Sequence, residues 1–177
     1  MKKRLILILF TIVSLLPLSA FSVDAAFSWG PAVMNFKTPG VSVAYGFNLG
    51  VSKRSELSLW GTSTLTPAFF GENYCGLEYD FSLLGVRSTG SKVAGSGINM
   101  LIGGGIIASM NNPYDVFMPT DIFITLTPFT LGNPILERRE RFCKLMLSYN
   151  PFENKVGVYM NLLLFDYYFF GSWKSYD

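Results

Sequence analysis

The chain has 177 residues, half of them hydrophobic and only 15% charged. That is room for one domain with a sizeable core and very little charge for a water-facing surface. There is no histidine, and outside the first 25 residues acidic and basic side chains balance at 11 each, so nothing basic is left to argue for nucleic acid.

The chain opens MKKRLILILFTIVSLLPLSAFSVDAA, with Lys2, Lys3 and Arg4 ahead of an apolar run from Leu5 to Leu16 and then small residues. This layout predicts a secretory signal peptide over 1–25, with a cut after Ser22, Ala25 or Ala26. Residues 26–177 are then the folded domain. The absence of a cysteine near the cut argues against a lipoprotein, and Cys75 with Cys143 is too sparse a pair for a disulfide framework.

Eight strand-like runs follow, divided by turn-rich clusters. Phe27–Phe36 is the least regular, with Pro31 suiting an edge or a bulge. Val41–Val51 alternates strictly: Val41, Val43, Tyr45, Phe47, Leu49 and Val51 are large and apolar, whereas Ser42, Ala44, Gly46, Asn48 and Gly50 are small. Successive side chains of a strand point to opposite faces, so this is a β-strand with two unlike sides. Leu57–Thr66 comes next, its alternation blurred at Trp60.

Leu77–Val86 repeats the design, with Leu77, Tyr79, Phe81 and Leu83 opposing Glu78, Asp80, Ser82 and Leu84. Ile98–Ser109 is apolar nearly throughout, and Asp121–Thr130 alternates again. The segment ERRER at 137–141 reads as a charged connection into Phe142–Tyr149, where Cys143, Leu145, Leu147 and Tyr149 oppose Lys144, Met146 and Ser148. Val156–Phe170 closes the series. Eight such runs with no helix-period segment between them predict an all-β fold, an antiparallel up-and-down barrel of about eight strands.

A closed sheet leaves no unpaired edge, which is what a membrane demands, and a strand of roughly 9–11 tilted residues crosses the hydrocarbon layer. In a transmembrane barrel the bulky face meets lipid and the small or polar face meets a narrow lumen. Ser42, Asn48, Glu78, Asp80 and Lys144 are therefore the expected lumen-facing polar residues, with the three charged ones either in an internal network or near strand ends in water. A soluble secreted barrel around an apolar ligand is the rival, but it calls for charges along the small-residue face, which are mostly absent.

On these features the chain resembles the small eight-stranded outer-membrane β-barrel proteins of Gram-negative bacteria and spirochaetes: signal peptide, alternating segments and aromatic strand ends. Tyr45, Trp60, Tyr79, Tyr149, Tyr167, Tyr168, Phe169, Phe170 and Trp173 are candidates for the aromatic girdles at the interfaces. The resemblance implies an outer-membrane location, membrane lipid and the barrel-assembly machinery as partners, and host surface molecules as a further class. The chain departs from it by ending in KSYD rather than on a strand-closing aromatic.

The chemistry-bearing patterns are thin. Gly103, Gly104, Gly105 and Ala108 loosely fit a dinucleotide fingerprint, but the turn at Asn111–Pro113 leaves no room for the helix that motif requires. Without histidine the usual general base is missing, and no phosphate-, zinc- or calcium-binding pattern occurs. No catalytic residue, metal or cofactor is expected. With a periplasmic N-terminus, segments 37–40, 67–76, 110–119 and 150–154 face outward, carrying Tyr74, Tyr114, Phe117 and Phe152 as exposed-loop candidates. Function then points to a structural or adhesin-like surface role, with a narrow channel for small or hydrophobic solutes as the alternative.

Overall fold

The computed structural model describes residues 24–34, 40–64, 73–84, 98–109, 120–133 and 138–170. The eight strands are β1 (Ala25–Met34), β2 (Gly40–Gly50), β3 (Ser55–Thr64), β4 (Tyr74–Ser82), β5 (Ile98–Ser109), β6 (Asp121–Asn133), β7 (Arg138–Asn150) and β8 (Lys155–Phe170). Each pairs antiparallel with its sequence neighbours, and β8 returns to β1, so the sheet closes into a barrel. The end where β1 begins is called the lower end below.

The register shows how the strands are tilted. Ala26 pairs with Asn48, and the line continues through Ser58, Glu78, Gly105, Phe123 and Ser148 to Gly157. Yet Ala26 itself pairs with Tyr168 on β8. This offset is the stagger that strand tilt imposes on a closed sheet.

Two hairpins show local sequence setting the turns. Asn150 Oδ1 accepts the backbone N–H of Phe152 and Glu153 at 2.9 and 3.0 Å, and Asn154 adopts φ 51°, a conformation asparagine tolerates. At the lower end, Ser52 Oγ accepts the Ser55 N–H at 3.1 Å in the turn from β2 to β3.

The faces of the strands are inverted relative to a water-soluble protein. Ile124 is 64% exposed, and Phe47 and Leu59 are each 57% exposed, alongside Trp29, Tyr45, Leu77, Ile122 and Leu147. Ser28, Asn48, Glu56, Glu78, Asp80, Arg139 and Asp166 are buried inside. Exposed apolar surface of this extent is unusual for a monomeric protein in water.

Sequence and structure part company at β7. Residues 138–141 belong to the strand rather than to a connection. Arg139 and Arg141 point inward, Phe142 and Cys143 both turn outward, and Lys144 points inward again, so the strand changes phase at a bulge. Cys143 takes φ 52° to make that step. The neighbouring strands bend with it: Pro128 and Phe129 of β6 both face outward, as do Leu162 and Leu163 of β8. Proline has no N–H to give the ladder, which makes Pro128 a natural place for the interruption.

The glycine run at 103–105 lies in mid-β5, so it serves strand packing and opens no helix. A Cβ on Gly105 would stand 1.9 Å from the Leu77 carbonyl oxygen of β4, and backbone cannot yield there cheaply. Gly105→Ala is expected to destabilise the barrel by about 1–3 kcal/mol. Urea unfolding of the detergent-refolded protein measures this, and an unchanged midpoint would mean that β4 and β5 separate freely at that point.

Candidate functional site: the polar lumen

Because inward positions alternate along every strand, the interior collects one side chain in two from all eight. Its lower half is ionic. Arg139 lies at the centre, donating from Nε to Asp166 Oδ2 at 2.7 Å and from Nη2 to Glu56 Oε1 at 2.6 Å. Arg141 Nη2 donates to Asp166 Oδ1 at 2.7 Å and approaches Ser28 Oγ at 3.2 Å. Ser28 donates to Asp166 Oδ1 at 2.6 Å, while Asn48 Nδ2 donates to Ser28 Oγ at 2.6 Å and to Asp166 at 3.2 Å.

A second group lies higher. Lys144 Nζ donates to Glu78 Oε2 at 2.5 Å, and Thr125 Oγ1 donates to Glu78 Oε1 at 2.7 Å. Asp80 joins the two groups, its Oδ2 standing 3.6 Å from Arg141 Nη1. Gly103 makes space for it, since a Cβ there would come within 2.2 Å of Asp80 Oδ1. Below them Asn99 Nδ2 donates to Ser82 Oγ at 2.5 Å, and Asn99 Oδ1 accepts the N–H groups of Leu84 and Met100.

Toward the upper end the interior turns apolar, with Ala32, Ala44, Ile107, Phe123, Met146 and Tyr159 packed together. Trp60 lies edge-on to Phe123 with ring centroids 5.9 Å apart, and Tyr74 meets Tyr159 at the same separation. Two cavities near Lys144 measure about 20 and 10 Å³. The larger holds a single water-sized particle, since that takes roughly 10–15 Å³ of such volume.

All five residues expected in the lumen face it: Ser42, Asn48, Glu78, Asp80 and Lys144 are each buried. Ser42 lies apart from the ionic groups, donating to the Ala32 carbonyl at 3.1 Å. Sequence reading missed Arg139, Arg141, Glu56 and Asp166. A usable signal was present in the segment RRER, where Arg139 and Arg141 alternate with Arg138 and Glu140. The latter two pair with each other, and Arg138 also lies over the Phe165 ring at 5.4 Å.

Tyr74 needs correcting. It is the first residue of β4 rather than an exposed loop residue, and it shares the inward parity of Gly76, Glu78 and Asp80. Trp60 and Tyr168 likewise sit inside rather than on a girdle, Trp60 filling the space that Gly76 leaves, while Tyr168 lies near Arg139. Phe152 is 82% exposed at the tip of the β7–β8 turn. Tyr114, Phe117 and Trp173 lie outside the described residues.

Chemically, the lumen is a fastening. Its carboxylates are held by guanidinium and ammonium groups from strands far away in sequence. Cys75 and Cys143 are free thiols, and among the described residues no cluster of His, Cys, Asp or Glu is arranged to hold a metal ion. No known protein family, curated protein or solved structure matches the chain.

Proposed function

We propose that the protein is an outer-membrane β-barrel with a structural or surface-interaction role, acting neither as an enzyme nor as an open channel. The observation that carries this reading is the inversion of the wall: large apolar side chains outside, paired charges inside. Membrane lipid suits the outer surface, whereas a soluble barrel that binds an apolar ligand would need an apolar interior, and the ionic half of the lumen disfavours that. Export fits the chain's first residues, and a cut after Ser22 is the one that leaves β1 and the Gly50 N–H to Asp24 carbonyl bond intact.

With the lower end in the periplasm, the β7–β8 turn and Phe152 project outward. Partners are then the surrounding lipid, the machinery that inserts barrels, and surface molecules reached by the outward loops. The first test is cell fractionation with gel mobility of boiled and unboiled samples. Detergent-dependent extraction with a heat-modifiable band is expected, and release as a soluble protein without detergent would sink the proposal.

The lumen also makes a statement about transport. Among the described residues, a latch of buried ion pairs below, an aromatic cluster above and cavities of only about 20 and 10 Å³ between them support a closed interior. Refolded protein in planar bilayers is therefore expected to give no stable conductance steps. Reproducible ion conduction by the unmodified chain would favour the channel reading instead.

A further inference from the structure

The larger interior cavity has walls of one chemical kind. It is lined by Ser28, Asn48, Ser58, Arg141, Lys144 and Asn161, with Tyr45, Trp60, Ala44 and Leu164 completing it, and no carboxylate residue is among the lining. Ser58 and Arg141 are each 2% exposed and Lys144 is 3% exposed. Within this shell Ser58 Oγ and Arg141 Nε have no hydrogen-bond partner among the described residues, while Arg141 Nη1 has only the ion pairs with Asp80 at 3.6 Å and Glu56 at 4.0 Å. Buried polar groups are normally satisfied, so unpartnered donors on residues that line one cavity point to a ligand that accepts.

We propose that this cavity is a binding site for a single halide-sized monovalent anion. Its volume of about 20 Å³ admits one small particle and excludes sulfate, phosphate and any organic acid. Charge selects within that size. Two cationic side chains, Arg141 and Lys144, line the cavity, and none of the carboxylates that hold them, Asp166 and Asp80 on Arg141 and Glu78 on Lys144, is among its lining residues. An acceptor in the cavity meets guanidinium, ammonium and hydroxyl donors, whereas a cation of the same size would meet like charge.

The surroundings also set the strength. Glu56, Glu78, Asp80 and Asp166 together outnumber Arg139, Arg141 and Lys144 by one, which weakens the hold on a further negative charge. Occupancy therefore belongs to the high-salt range. The site does not depend on where the barrel resides, so its test and that of the membrane reading stand or fall separately.

Crystals of the full-length protein refolded in detergent and soaked in sodium bromide, measured at the bromine absorption edge, test it directly. An anomalous peak between Ser58, Arg141 and Lys144 is the expected result. Peaks confined to the outer surface, or ordinary water density in the cavity, would overturn the proposal. In solution, exchanging gluconate for bromide at constant ionic strength should raise the unfolding temperature of the native chain relative to Ser58→Val, whose added bulk fills the cavity. An identical response in both proteins counts against the site, and the diffraction result stands even if that variant fails to fold.

Discussion

Arg139→Met is expected to cost the barrel roughly 3–5 kcal/mol, because it removes the guanidinium that two buried carboxylates share. Glu56 and Asp166 are both fully buried, and each accepts a hydrogen bond from the same guanidinium. Methionine restores most of the volume and none of the charge. Equilibrium urea unfolding of the refolded protein in micelles gives the measure. Adding Glu56→Gln to the same chain should recover part of the loss, since one of the carboxylates deprived of that partner is then neutral. If Arg139→Met unfolds at the native midpoint, water reaches these groups and the latch contributes little.

Leu59→Arg separates the two environments the outer wall could occupy. Leu59 lies midway along β3, is 57% exposed, and is flanked by Phe47 on β2 and Leu77 on β4. Against lipid, an arginine near the membrane midplane costs about 2–4 kcal/mol. Against water, a surface change of this kind stays within about 0.5 kcal/mol of neutral. Unfolding from lipid vesicles is expected to give the larger value, and a neutral or stabilising result there would place this wall in solvent.

Much of the fold was legible because alternation is a local property. The pattern over Val41–Val51 survives almost unchanged in β2 (Gly40–Gly50), and Ile98–Ser109 coincides with β5. The failures cluster where parity breaks. ERRER looked like a connection because its phase disagrees with that of Lys144, Met146 and Ser148, and only an extra outward residue at Phe142–Cys143 reconciles them. Nothing about cysteine announces a left-handed backbone, so the bulge was invisible one residue at a time. Trp60 misled for a different reason: a large ring on the inner face is possible only because its cross-strand neighbour Gly76 has no side chain.

The site divides the same way. That Glu78, Asp80 and Lys144 share the narrow face could be read from period-two spacing alone, since pleating sends alternate side chains to one side. Which charge meets which could not. Arg139 and Glu56 are 83 positions apart, and Lys144 and Glu78 are 66 apart; they meet because closure and stagger bring β7 across the lumen from β3 and β4. Sequence by itself determined the number of strands and, for most of them, which face is bulky and which is small, because those follow from side-chain alternation within a few residues. The ion pairing, the bulge that aims two arginines inward and the filling of the lumen were decided by the tertiary structure, because each requires strands distant in the chain to be set side by side.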